Sequence, residues 1–180
     1  MEVFLDIETT STKADMGQII AIGMIKEGKK EVKFIENLED ERRVLNWLAK
    51  ELEDCNLIIT WYGSKFDIPF IITRAIINGQ DLSKIVGIPS LDLWEFCKNK
   101  LLFSKNSLQE ISKYLGISKD EEVCGKDMLK LYLKAIRGDE KAKKEIINHC
   151  LDDLEALEKI FKKLKHYLRL PGKTQEFSHK

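Results

Sequence analysis

The sequence lacks a net charge of either sign, a long hydrophobic run and paired cysteines. Its 30 basic and 30 acidic residues cancel, so no overall positive field attracts nucleic acid, and any such binding must depend on local patches. All apolar stretches are far shorter than a membrane span, so we expect no contact with a bilayer. The N-terminus begins directly with an apolar strand pattern, so we expect no signal peptide and a cytoplasmic location.

The cysteine pattern gives no indication of a disulfide framework or a zinc site. The four cysteines, Cys55, Cys97, Cys124 and Cys150, form no CxxC pair. One histidine, His149, lies beside Cys150. A single His–Cys neighbour pair supplies too few ligands for a zinc site. We therefore expect free thiols in a reducing compartment.

The length of 180 residues suits one domain with a real core. Apolar runs predict strands at residues 2–8, 18–26, 31–36 and 56–62, with a hairpin turn at 27–30. Helical periodicity predicts helices at 38–53, 67–78, 94–101, 107–115, 126–136 and 139–168. Residues 90–93 fit either a short strand or a lead-in to the next helix. This order predicts an α/β fold, a mixed sheet with helices on both faces, followed by a polar tail at 170–180.

Two acidic residues lie inside the first apolar strand. Asp6 and Glu8 are two positions apart, so their carboxylates share a face, about 7 Å apart along the backbone. Such anions repel unless a proton or cation lies between them. Because hard divalent cations prefer carboxylate oxygens, we interpret this as a metal-binding strand. The alternative is a strand edge at which both acids face water.

A third acid, Asp67, lies where a buried strand meets a helix. It could be an ordinary N-cap, with Pro69 in the first turn. The ends of strands in such folds are also where sites form, so a cap and a ligand role are compatible.

The long C-terminal helix offers a fourth acid on the flank of its apolar stripe. At about 100° per residue, Asp153 lies beside the stripe, with His149 one turn earlier on the same flank. Asp152 falls nearly opposite the stripe and is expected to be solvated. The alternative is a His–Asp pair that only stabilises the helix.

Together these segments resemble the DEDD superfamily of 3′–5′ exonucleases, with the ribonuclease-H-like fold. The first motif there is Asp-x-Glu on strand one, and the second is Phe-Asp after a buried strand and a glycine. The third is a Tyr or His followed by Asp on the last helix. The matching residues are Asp6, Glu8, Gly63, Phe66, Asp67, His149 and Asp153. The chain is similar to the YprB-like ribonuclease-H-like group and to the proofreading domain of family-B polymerases.

The resemblance implies an exonuclease domain over residues 1–169 that uses two Mg²⁺ or Mn²⁺ ions. Asp6 would bridge the ions, Glu8 and Asp153 would complete the first, and Asp67 would hold the second. His149 would orient the attacking water or take its proton. The implied reaction removes nucleoside 5′-monophosphates from the 3′ end of single-stranded DNA or RNA.

The chain departs from the superfamily pattern at two positions. His149 precedes Asp153 with the three-residue gap of the tyrosine members, and the longer gap of histidine members would select Leu154, which cannot bind metal. Tyr62 stands where many relatives have asparagine, and it offers an aromatic platform for a base.

Predicted substrate contacts surround the first two motifs. They are Thr9, Thr10, Tyr62, Gly63, Lys65 and Phe66. For the threonines a strand-to-loop turn is the alternative, for Lys65 a solvated side chain, and for Phe66 packing in the core.

Two other functions remain open from the sequence. One is a non-catalytic ribonuclease-H-like module that binds nucleic acid or scaffolds an assembly, and the other is an endonuclease of the same fold. A replication or repair protein, or a second copy of the chain, is a further expected partner.

Overall fold

The computed structural model describes residues 1–118 and 125–168, with a five-stranded mixed sheet at its centre. The strands are β1 Glu2–Thr9, β2 Ile19–Lys26, β3 Lys29–Phe34, β4 Leu57–Thr60 and β5 Ser90–Asp92. They lie in the order β3-β2-β1-β4-β5. The β1–β2 and β2–β3 pairs are antiparallel, whereas β1–β4 and β4–β5 are parallel. The predicted mixed sheet is confirmed, and residues 90–92 form a strand.

Helices cover both faces of this sheet. They are α1 Leu38–Glu51, α2 Asp67–Ile77, α3 Lys84–Gly87, α4 Leu93–Lys100, α5 Leu108–Tyr114, α6 Gly125–Ala135 and α7 Glu140–Leu164. A 3₁₀ turn, Lys165–Tyr167, follows α7, so the predicted helix at 139–168 ends early. The short α3 was not predicted, and the predicted tail lies outside the described residues. No described helix is long and apolar enough to cross a membrane.

Alternation along β1 divides its side chains between two hydrophobic cores. Val3, Leu5 and Ile7 pack under α1 and α2. Phe4 points to the opposite core, which is formed with α4, α5 and α7. Because alternate residues share a face, Asp6 and Glu8 point to the α7 side. Strand alternation thus aims the first acidic pair at the last long helix.

The hairpin between β2 and β3 is tighter than the sequence predicted. Glu27 and Gly28 both have positive φ, 52° and 78°, as in the two-residue turns that match the twist of paired strands. β3 therefore begins at Lys29, two residues earlier than predicted.

A buried ion pair joins α1 to α2. Glu41 is fully buried and Arg74 is 6% exposed, and two guanidinium nitrogens donate to the two carboxylate oxygens at 2.9 and 2.7 Å. Glu41 also accepts from the Ile19 N–H, and Arg74 donates to the Ala14 carbonyl. The pair therefore anchors the loop that leads from the acidic end of β1 into β2.

Candidate active site

A glycine on β2 allows α7 to approach the acidic residues of β1. Gly23 pairs with Asp6 in the sheet. A Cβ at Gly23 would lie 2.5 Å from Cys150 Sγ and 2.6 Å from Leu154 Cδ1, closer than such atoms can approach. The absence of a side chain here therefore lets the turn of α7 from His149 to Asp153 pack against Asp6.

This turn of α7 brings His149 to the first motif. His149 Nε2 lies 3.6 Å from Glu8 Oε1, and both side chains are 13% exposed. Asp153 lies near enough for its charge to raise the pKa of Asp6. Asp152 is partly buried rather than solvated as expected. The predicted flank of the helix therefore does face β1.

Asp67 reaches β1 from the start of α2. It is the first residue of the helix, and Phe66 holds the N-cap position without a side-chain cap, so the ordinary N-cap interpretation does not apply. Asp67 Oδ1 instead accepts a hydrogen bond from the Ile7 N–H at 3.1 Å. This bond fixes the second motif beside the strand that carries the first.

The pKa of Asp67 reflects this enclosed position. The residue is 4% exposed, and burial raises its pKa to about 7. The negative charges of Asp92 and Asp153 contribute to this rise, and backbone hydrogen bonds, including that from Ile7, oppose it.

Asp6 is the carboxylate on which the others converge. Burial raises its pKa well above the usual range, and three neighbouring carboxylates raise it further. These belong to Glu8, Asp153 and Asp67. Within the described residues, Asp6 Oδ2 is buried without a hydrogen-bond partner. Such a cluster is costly without a counter-charge.

The donor atoms present fit a hard divalent cation. One ligand atom each from Asp6, Glu8 and Cys150 lie within 4.8 Å of one another, and the carboxylate oxygens are the ligands that Mg²⁺ and Mn²⁺ prefer. Burial and the neighbouring carboxylates raise the pKa of the Cys150 thiol well above its usual range, so the sulfur stays protonated. Cys150 was not predicted as part of the site, and its only signal in the sequence was its position three residues before Asp153.

Most of the predicted substrate contacts are already used inside the protein. Thr9 Oγ1 donates to the Ser11 carbonyl at 2.8 Å, and Thr10 Oγ1 accepts from the Gln18 N–H at 2.9 Å, as in the turn alternative. Phe66 packs against Phe70, with ring centroids 5.5 Å apart.

Gly63 also has a packing role. A Cβ at this position would lie 2.4 Å from Thr60 Cβ. Only glycine therefore lets the chain turn back against the end of β4.

Tyr62 and Lys65 lie on the surface next to α4. Tyr62 is 42% exposed, and its ring meets the Trp94 ring edge-on at 4.7 Å. Lys65 Nζ lies 4.9 Å from the Trp94 centroid and 3.8 Å from a Glu95 oxygen. These two predicted contacts form an exposed aromatic and cationic surface.

Asp92 connects this surface to the acidic cluster. It accepts from the Tyr62 N–H at 2.8 Å, and from both the N–H and hydroxyl of Ser64. It also caps α4 by accepting from the N–H groups of Trp94 and Glu95. In the sequence Asp92 was recognised only as part of a short run, because its partners are distant along the chain.

Comparisons with known proteins agree with this fold. A family model described as RNase_H_2, of the RNase_H superfamily, matches residues 3–165. The fold is similar to a solved structure of the family B DNA polymerase from the hyperthermophilic archaeon Pyrobaculum calidifontis, with a TM-score of 0.78 at 18% identity. The match covers 91% of this chain and 24% of that chain, and at this identity it concerns the fold alone. No curated protein matches this chain.

Proposed function

The chain belongs to the RNase_H superfamily, and from that premise we propose that it is a divalent-metal-dependent nuclease. In the finer form of the proposal it is a 3′–5′ exonuclease. It hydrolyses phosphodiester bonds of single-stranded DNA or RNA and releases nucleoside 5′-monophosphates.

The observation that carries the proposal is the surrounding of Asp6 by carboxylates from three separate elements. Glu8 comes from the same strand, Asp67 from the start of α2 and Asp153 from α7, and the charge of each raises the pKa of Asp6. A structural role alone gives no reason to gather three carboxylates around the buried carboxylate of a fourth.

Four carboxylates supply enough oxygens for two cations. We propose Asp6, Glu8, Asp67 and Asp153 as ligands of Mg²⁺ or Mn²⁺. When bound, the cations would lower the pKa of the attacking water and stabilise charge on the leaving 3′ oxygen.

His149 is proposed as the proton acceptor. Its Nε2 lies 3.6 Å from Glu8 Oε1, so a water held at Glu8 would be within reach of the imidazole. In its neutral form the ring carries one acceptor nitrogen, which can orient that water and take its proton.

Digestion of end-labelled single strands tests the proposal. The wild type should shorten DNA or RNA from the 3′ end with Mg²⁺ or Mn²⁺, and a chelator should stop the reaction. Asp153→Asn should abolish the ladder, and His149→Ala should slow it, while Asp81→Asn, at an exposed carboxylate, should leave it unchanged.

Two outcomes would contradict the proposal. A ladder that persists unchanged in Asp153→Asn would show that the acidic cluster is not the site. Cleavage of an internally labelled closed circle would show an endonuclease, because an exonuclease requires an end.

A further inference from the structure

The backbone of Tyr62 has an unusual conformation. Its φ is 65°, a region that bulky residues rarely adopt and that glycine occupies without strain. Asp92 stabilises this conformation, because its carboxylate accepts hydrogen bonds from the N–H groups of Tyr62 and Ser64. Backbone strain that neighbouring groups stabilise in this way is found mainly at functional sites.

The ring that this conformation presents belongs to a cationic aromatic group. Tyr62 stands edge-on against Trp94, and two ammonium groups, of Lys65 and Lys98, lie 4.9 and 4.8 Å from the Trp94 centroid. Glu95 partly balances Lys65, whereas Lys98 forms no ion pair with any described residue. The result is a surface patch with two ammonium groups beside an exposed ring.

The patch adjoins the acidic cluster through the turn that leads into α2. The Phe66 N–H donates to the Tyr62 carbonyl at 3.1 Å, and the next residue, Asp67, accepts from the Ile7 N–H of β1. A strand whose reacting phosphate lies at the carboxylates would therefore pass beside Tyr62.

We propose that Tyr62, Lys65, Trp94 and Lys98, here called the Tyr62 platform, bind an unpaired nucleotide of the substrate strand. The base stacks on the Tyr62 ring, and the lysines receive the adjacent phosphates. Every base has an aromatic face, so the platform accepts any sequence, but a base inside a duplex is not available to it. The proposal rests on the proposed nuclease function only in that the bound strand leads to the carboxylates.

Binding without cleavage tests the stacking role. Fluorescence anisotropy of a short labelled oligothymidylate or oligouridylate is measured with proteins that carry Asp6→Asn to prevent hydrolysis. Adding Tyr62→Leu should weaken binding roughly 5- to 150-fold, the range that one stacked base contributes. Tyr62→Phe should restore it, and Tyr167→Leu, an exposed tyrosine after the far end of α7, should leave it unchanged.

The salt dependence of binding tests the lysines. Lys98→Gln should reduce the slope of log affinity against log salt by about 0.7, as expected for one lost phosphate contact on a single strand. Lys134→Gln on α6 is the matched control and should not change the slope.

Several results would overturn the platform. These are unchanged affinity in Tyr62→Leu, equal loss in Tyr167→Leu, equal binding of a blunt duplex, and no measurable binding by the reference protein. A wild type that binds strands through Tyr62 but never cuts them would refute the nuclease proposal and leave the platform standing. Cleavage by the wild type, together with unchanged affinity in Tyr62→Leu, would support the nuclease proposal and refute the platform.

Discussion

Replacing Asp67 with asparagine should stabilise the metal-free protein at neutral and alkaline pH. The wild-type carboxyl is buried, and its pKa is about 7, so its ionised form is penalised in the folded state. Asparagine has the same shape, keeps an oxygen that accepts from the Ile7 N–H, and carries no charge.

The magnitude follows from proton linkage. A tenfold change in proton affinity corresponds to about 1.4 kcal/mol. A pKa of about 7, against an ordinary value of 3.8, therefore gives a penalty of about 4 kcal/mol once the pH exceeds 7. The buried amide of asparagine offsets about 1–3 kcal/mol of this gain if its N–H₂ finds no partner. The expected net stabilisation at pH 8 is about 1–3 kcal/mol.

The sign of the effect must change with pH. The folded state holds the proton of Asp67 more tightly than the unfolded state, so wild-type stability declines as the pH rises from about 4 to about 7. Near pH 4 the wild-type group is protonated and carries no penalty, so Asp67→Asn should be no more stable than the wild type there.

Urea unfolding with EDTA, at about pH 4.5 and about pH 8, measures this difference directly. Asp81→Asn is the matched control, because Asp81 is exposed and hydrogen bonds from Ser83 lower the pKa of its carboxyl, so its removal should never stabilise at high pH. A gain in Asp67→Asn that is the same at both pH values would refute the reasoning. Added Mn²⁺ should then stabilise the wild type more than the variant, because it binds the folded wild-type site.

Three further predictions concern residues around the site. Cys150→Ala should retain the dependence of cleavage on Mg²⁺ and Mn²⁺ concentration, because the buried thiol stays protonated. Arg74→Met should lower the free energy of unfolding by about 3–5 kcal/mol, since it leaves the Glu41 carboxylate buried without its partner; urea unfolding measures the loss. Glu27→Gly should raise the thermal midpoint, because glycine adopts the φ of 52° without strain.

Each of these has a result that would contradict it. A shift of this dependence to higher metal concentrations in Cys150→Ala would indicate that the sulfur is a ligand. Replacing Glu41 together with Arg74 should recover part of the lost stability, and failure to do so would show that the ion pair is not the cause. A lower midpoint in Glu27→Gly would mean that the Glu27 side chain contributes more than the turn geometry.

Local pattern was enough to predict the sheet and most of its covering helices, and the order of the acidic motifs along the chain carried the resemblance to the superfamily. The alternation of β1 placed Asp6 and Glu8 on one face, and the rotation of α7 placed His149 and Asp153 on one flank, because both periods are fixed by backbone geometry. The structure reports the same faces, with His149 against Glu8.

Contacts between distant segments were beyond local pattern. Asp92 joins the turn at Tyr62 to α4 through hydrogen bonds that span 28 to 30 residues, and no periodicity marks it. The N-cap alternative for Asp67 is excluded for a related reason, because a tertiary bond from the Ile7 N–H decides the direction of its side chain. The pair of Glu41 and Arg74 likewise looks in sequence like two ordinary surface charges on helices.

The close packing of α7 against the sheet depends on Gly23, which has no side chain. With a methyl group at position 23, Cys150 and Leu154 would have to retreat, and the helix that carries Asp153 would retreat with them. A homologue could keep all four acidic residues and still lose the geometry of the site through one added methyl group. The presence of the acidic residues is therefore not enough to identify an intact site, and the residue at position 23 must be examined as well.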